Sequence, residues 1–359
     1  MDIDTFFYDA VDLLKQLIAV PSLSREEENA ADLLEIYLRK KGLSPYRKAN
    51  NVWLLSSAWD DKKPVILLNS HIDTVKPVAG WTKDPFSPLE EDGKLYGLGS
   101  NDAGASLVSL LQAFLILNRE DKKNNFIFLA SAEEEISGKN GIASVLPELP
   151  PIDVGVAGEP TGMQPAIAEK GLMVIDGKVY GKSGHAAREE GENAIYKALP
   201  VIEWFRCKQF PEVSPLLGPV KMSLTVLQAG SQHNVIPGEC TFTVDVRTNE
   251  YYGNEALFQQ IAAECGAEVH ARSFRLNASH IAIDHPLVNR AILLGMHPFG
   301  SPTLSDQALM NFQSLKIGPG LSARSHTADE YIFVSEIREA IDIYLRLLAN
   351  LQLDSERRF

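Results

Sequence analysis

Val65-Ile66-Leu67-Leu68-Asn69-Ser70-His71-Ile72-Asp73-Thr74 decides the fold: four consecutive apolar residues run into a histidine and an aspartate. A continuous apolar run of that length suits a strand whose sheet is covered on both faces. Open sheets of the α/β kind place their sites beyond the carboxyl ends of the strands, where His71 and Asp73 fall. The pattern recurs twice. Phe126 to Ala130 is a second buried strand, followed by Glu133-Glu134-Glu135, and Asp153 to Ala157 is a short third, followed by Gly158-Glu159-Pro160-Thr161. Helices fit between them. Phe7, Val11, Leu14 and Ile18 recur at helical spacing before Pro21, and Gly104 to Leu117 reads as a helix. Ser24 with Glu27 reads as a capping box opening a helix through Ala30, Leu34, Tyr37 and Leu38.

From about residue 171 the pattern changes. Leu172 to Tyr180, Lys221 to Leu227, Thr241 to Arg247 and Glu268 to Leu276 read as strands, with helices at Glu192 to Phe205 and Asn254 to Cys265. In Thr241 to Arg247, Phe242, Val244 and Val246 share one face, and Thr241, Thr243, Asp245 and Arg247 share the other. The order β-α-β-β-α-β is the ferredoxin-like split unit, with a free edge suited to dimerisation. The first style returns after about 276, with a short strand at Leu315 to Ile317 and a closing helix at Val334 to Leu348. The fold class is therefore α/β, with a discontinuous outer domain (1–170 and 277–359) and a smaller α+β domain (171–276) inserted in it.

Composition agrees. The chain has 359 residues, 34 Lys+Arg against 47 Asp+Glu, and a net charge of −13. At roughly 150 residues per domain that length suits about two domains. An acidic surface without a basic patch argues against a nucleic-acid partner. Three scattered cysteines, Cys207, Cys240 and Cys265, form no CxxC pair and fit a reducing, cytoplasmic setting. The opening Met1-Asp2-Ile3-Asp4 is acidic where a secretory signal is basic. Apolar runs fall short of the roughly 18 residues a membrane helix needs.

A histidine can give one ring nitrogen to a metal while a carboxylate two residues on accepts its other N–H. A His held by a neighbouring Asp for local stability is the ordinary explanation of a lone HxD, and spacing alone makes no ligand. Asp102, flanked by Gly97, Gly99 and Gly104 before a helix, is by itself a common N-cap. Three adjacent glutamates repel one another unless a cation or shared proton compensates. His326 lies in Ala323-Arg324-Ser325-His326-Thr327-Ala328-Asp329-Glu330, after Gly318-Pro319-Gly320. Together His71, Asp102, Glu135, Glu159 and His326 supply two imidazoles and three carboxylates, more than one catalytic ion needs and apt for two zinc ions. Rival chemistries lack their marks: there is no GxSxG, no HExxH and no GxGxxG opening the first helix. Gly177 to Ser183 imitates a phosphate loop but is one residue short between its glycines.

Taken in order, these motifs resemble the M20 metallopeptidase and deacylase family over nearly the whole chain. The resemblance implies a zinc-peptidase-like mixed sheet flanked by helices, with an inserted lid and homodimerisation domain. It implies two Zn2+ per subunit, with Co2+ able to substitute: His71 and Glu159 on one ion, Glu135 and His326 on the other, and Asp102 bridging before a cis peptide. Asp73 would orient His71, and Glu134 would be the general base. His185, in Ser183-Gly184-His185-Ala186-Ala187, would reach the partner subunit's site to hold the oxyanion. Asn234 and Arg247 would grip the substrate's carboxylate, and Asp329 or Glu330 would face a basic or ureido side chain. The similarity is greatest to acetylornithine deacetylases. It implies hydrolysis of N-acetyl- or N-succinyl-ornithine or citrulline in arginine biosynthesis, a small-molecule substrate. The alternatives are a succinyl-diaminopimelate desuccinylase or dipeptidase of the same family, and a non-catalytic metal-bound binding protein. The chain departs from the family at Leu98, commonly Arg, and at Ala103-Gly104-Ala105, usually an apolar-Lys-Gly run.

Overall fold

The computed structural model describes residues 3–188 and 190–353. It divides into two compact units, Met1–Ile167 with His280–Phe299 and Ser305–Phe359, and Ala168–Ser279 with Gly300–Leu304.

In the first unit, six strands lie side by side in the order Tyr46–Lys48, Asn51–Leu55, Asn125–Ser131, Val65–His71, Val154–Ala157, Ser314–Lys316. The last four run parallel to one another, and the first two are antiparallel. Every residue of Val65–His71 and Asn125–Ser131 is buried, yet the side chains still alternate. Ile66, Leu68, Phe126 and Phe128 join the core beneath the helices Ile3–Ile18, Ala105–Glu120 and Val334–Leu348. Val65, Leu67, Ile127 and Leu129 pack the opposite face, with Ile142 and Val145. Covering both faces explains the continuous apolar runs. The helical stretch Ser100–Glu120 does have the length and apolarity of a membrane span, which the sequence reading missed. Its most apolar window is 89% buried inside the fold, so it is a core helix.

The expected capping box is not formed. The helix starts at Glu28 with no side-chain cap. The Ser24 hydroxyl donates instead to Asp73 Oδ2 at 2.7 Å. Glu27 is fully buried and accepts from Arg25 N at 2.7 Å, Asn50 Nδ2 at 2.8 Å and Glu133 N at 3.2 Å. A buried carboxylate takes whichever donors its burial demands, and here two of the three, from Asn50 and Glu133, lie far along the chain.

The second unit is a four-stranded antiparallel sheet in the order Lys221–Ala229, Glu239–Thr248, Gly171–Tyr180, Glu268–Ala271. Its connectivity is that of the split β-α-β unit. The helices Ala194–Cys207 and Asn254–Glu264 cover one face through Val201, Phe205, Leu257 and Ile261, over Ile175, Phe242 and Val244. The last strand ends at Ala271, short of the expected Leu276, and beyond it Ser273 Oγ accepts from Arg275 N in a local turn. Gly177 admits the Phe242 ring: a Cβ there would lie 2.1 Å from Cζ. Gly177→Ala should therefore destabilise this unit by about 1–3 kcal/mol through overpacking. Calorimetry checks this, and an unchanged transition would show that the ring moves aside freely.

Candidate metal centre

A residue of the expected site lies at or beyond the carboxyl end of each of the four parallel strands. His71 ends Val65–His71, Glu134 and Glu135 follow Asn125–Ser131, Glu159 follows Val154–Ala157, and His326 lies beyond Ser314–Lys316. Asp102 comes from the kinked turn Ser100–Gly104 ahead of the core helix, and its peptide bond to Ala103 is cis. One ligand atom from each of His71, Asp102 and Glu135 lies within 4.8 Å of the other two.

The distances sort the side chains into two groups joined by one carboxylate. His71 Nε2 is 3.4 Å from Asp102 Oδ1 and 4.0 Å from Glu159 Oε1. His326 Nε2 is 3.0 Å from Glu135 Oε2 and 3.7 Å from Asp102 Oδ2. The two oxygens of Asp102 thus address different imidazoles. Donors sharing one tetrahedral ion at about 2.0–2.2 Å sit roughly 3.3–3.6 Å apart, and the observed separations bracket that spacing.

The run of three glutamates is not degenerate. Glu133 has φ 55° and is buried, and its carboxylate accepts from Asn140 N and Nδ2 at 3.2 and 2.9 Å. Glu134 and Glu135 are the two held by Asp73. Asp73 Oδ1 accepts from Glu134 N at 3.0 Å, and Oδ2 from Glu135 N at 3.1 Å. His71 Nδ1 lies 2.9 Å from the Asp73 backbone oxygen and 3.5 Å from Oδ1. Asp73 therefore orients His71 chiefly through its carbonyl, while its carboxylate holds the neighbouring acidic turn.

The electrostatics call for a cation. Burial disfavours the His71 imidazolium, yet the carboxylates of Asp102, Asp73, Glu134 and Glu159 outweigh it and raise its pKa well above the ordinary value. Burial, with the charges of Glu159, Asp306 and Glu135, holds the Glu134 carboxyl well above the usual range. Burial and the charges of Asp102 and Glu135 lift Glu159 to about 8 against the pull of His71 and Lys316. Protons stand in where positive charge is wanted, and this donor set of imidazole and carboxylate fits divalent transition ions.

His185, Asn234 and Arg247 belong to the second unit rather than to the one that carries the candidate ligands. Gly184–His185 pairs with Val235–Ile236, and Ala186 N donates to Asn234 O at 2.9 Å, so His185 and Asn234 flank one short ladder. Exposed His185 accepts from Ala187 N at its Nδ1, 3.1 Å away, which leaves Nε2 as the protonated nitrogen of the neutral ring. Arg247 places its fork on Asp245, Nε on Oδ1 at 2.8 Å and Nη2 on Oδ2 at 3.1 Å. Asp329 and Glu330 do not await a substrate's side chain. Asp329 accepts from Thr82 N, Thr82 Oγ1 and Lys83 N, and Glu330 is buried against the Asp102 loop. Leu98 is buried, and a Cβ at Gly104 would meet Gly99 O at 2.5 Å, so this loop is packed around the missing side chain.

Sequence reading missed Asp306. It is buried and accepts from Ser131 Oγ at 2.6 Å, while Asn69 Nδ2 donates to that same hydroxyl at 2.8 Å. An isolated acid in a loop carries no motif to betray it. Burial and the Asp73 charge raise Asp306 from 3.8 to about 7, against the pull of Ser131 and His71. A raised pKa means that the folded state holds a proton the unfolded chain has released, so its stabilisation fades as pH rises through the folded value. Metal-free protein should lose thermal stability between pH 3.8 and about 7. Asp306→Asn, permanently neutral, should show a shallower decline over that range, and parallel curves would refute the assignment.

The family description "Peptidase family M20/M25/M40" matches residues 67–350. A succinyl-diaminopimelate desuccinylase of Delftia acidovorans is 27% identical, over 95% of this chain and 97% of that protein. Among solved structures, the aminopeptidase PepT of Bacillus cereus superposes with a TM-score of 0.78 at 19% identity, covering 96% of this chain and 98% of that one. The YXEP protein of Bacillus subtilis, described as a dinuclear metal binding peptidase from the M20 family, has a TM-score of 0.72 at 18% identity, with 96% and 98% covered. At such identities the structural likeness speaks to fold.

Proposed function

Because the chain belongs to peptidase family M20/M25/M40, and so is a metal-dependent amidohydrolase, we propose that it cleaves the amide bond of an N-succinylated diamino acid with two zinc ions. The observation that carries this reading is Asp102, whose two oxygens lie between the His71–Glu159 and His326–Glu135 pairs. His71, Asp102 and Glu159 would hold one ion, and Asp102, Glu135 and His326 the other. Bound divalent ions would supply Lewis-acid polarisation of the acyl carbonyl and an acidified water.

The chain's own groups do the rest. Glu134, kept basic by burial and neighbouring carboxylates, takes the proton of the attacking water and returns it to the leaving amine nitrogen. Nε2–H of His185 offers a donor to the developing oxyanion in the partner's site. Asn234 and Arg247 hold the substrate's carboxylate, with Arg247 trading its fork from Asp245 to the ligand. Asp329 and Glu330 are engaged within the protein, which removes the acids expected to recognise an ornithine or citrulline side chain. The desuccinylase relative favours the succinylated diamino acid for the same reason of likeness.

Substrates compared side by side test this: N-succinyl-diaminopimelate, N-succinylornithine, N-acetylornithine, N-acetylcitrulline and a dipeptide, before and after chelation. The succinylated diaminopimelate should turn over fastest, with loss on chelation and recovery with Zn2+. Preference for the dipeptide or an acetylated substrate would overturn the substrate, and no turnover by reloaded protein would overturn the reaction. Glu134→Ala should keep its metal while losing about 10²–10⁴-fold in rate.

The second unit would also form a homodimer. Its edge strand Lys221–Ala229 exposes Val226 and Leu227, and the helix Ala194–Cys207 exposes Tyr196 and Leu199. Light scattering should give twice the 39.5 kDa chain mass, and a monomer at working concentration would refute it.

A further inference from the structure

Glu330 is not among the expected ligands, yet it gathers more backbone donors than any of them. It is 2% exposed. Oε1 accepts from Asn101 N at 2.9 Å and Asp102 N at 3.0 Å, and Oε2 from Gly99 N at 3.1 Å. Its own carbonyl accepts from Gly97 N at 3.0 Å. Four amides of the segment 97–102 therefore end on one residue, and one of them belongs to Asp102.

The same short segment carries His326, four residues earlier. Asp329 pins it to Thr82 and Lys83. Asn101 laces the other end: its Nδ2 donates to Leu321 O and Ser325 Oγ, each at 3.1 Å, and its Oδ1 accepts from Leu321 N at 3.1 Å. The Asp102 loop and the His326 segment are thus one hydrogen-bonded body. Three amides converging from different directions require two acceptor oxygens, and only a carboxylate supplies two without adding a donor.

We propose that Glu330 is a positioning residue that sets the centre's metal affinity by fixing Asp102 relative to His326. The proposal rests on the two-ion reading above. It touches neither ion nor substrate: it acts through Asp102, whose oxygens face both imidazoles.

Metal-stripped full-length protein, titrated with Co2+ by calorimetry and visible absorption, tests it in wild type, Glu330→Gln and Glu330→Ala. Wild type should bind two equivalents. Glu330→Ala should weaken binding by about 10–100-fold, the usual effect of removing a group that orients ligands. Glu330→Gln, which keeps its volume and one acceptor oxygen, should fall between them. A folded Glu330→Ala that binds both equivalents as wild type does would overturn the proposal, even with a lowered melting temperature, since a merely structural residue gives that result. Should Glu330→Ala not fold, Glu330→Gln decides alone: weakened binding supports the proposal and wild-type affinity overturns it. Wild type that binds no Co2+ or Zn2+ would instead defeat the two-ion reading itself.

Discussion

Mutual repulsion among Asp102, Glu134, Glu135 and Glu159 is the constraint on which the rest of this structure depends. Like charges gathered in a partly dry pocket separate unless something holds their backbones or neutralises them. The fold applies both remedies. Backbone amides of the acidic turn end on Asp73 and Glu27, and those of the Asp102 loop on Glu330. The candidate ligands are thus placed by carboxylates outside the candidate set.

The four parallel strands explain why these groups meet at all. Their carboxyl ends form a row, and the segments that end or follow them bring their side chains to the same rim. The register between Val65–His71 and Asn125–Ser131 pairs His71 with Ser131, so both strands reach that rim together. Helices on one face and the Ile142–Val145 turn on the other keep the row dry from beneath.

Much of this was legible beforehand because the informative signals are local. His71, Glu134, Glu135 and Glu159 each follow an apolar run within a few residues, and alternation in Thr241 to Arg247 foretold which side chains of Glu239–Thr248 face the core. What escaped depends on distant partners. Glu27 and Glu133 are 106 residues apart, Asp102 and Glu330 are 228 apart, and no periodicity joins them. Ser24 shows how a sound local rule loses: its hydroxyl could cap a helix, but the buried carboxylate of Asp73 takes it. Asp329 and Glu330 were misread for the same reason, since an acid after a histidine looks available until the loop it grips is known.

The donors come from five separated stretches between His71 and His326, and no single stretch holds enough of them to chelate an ion strongly. An unfolded chain offers little beyond neighbouring pairs such as Glu134 and Glu135. Ions that bind only after the strands have aligned draw the equilibrium toward the native state by mass action. Occupancy would then report on chain topology as well as on chemistry: under metal starvation, thermal stability would fall along with hydrolytic competence.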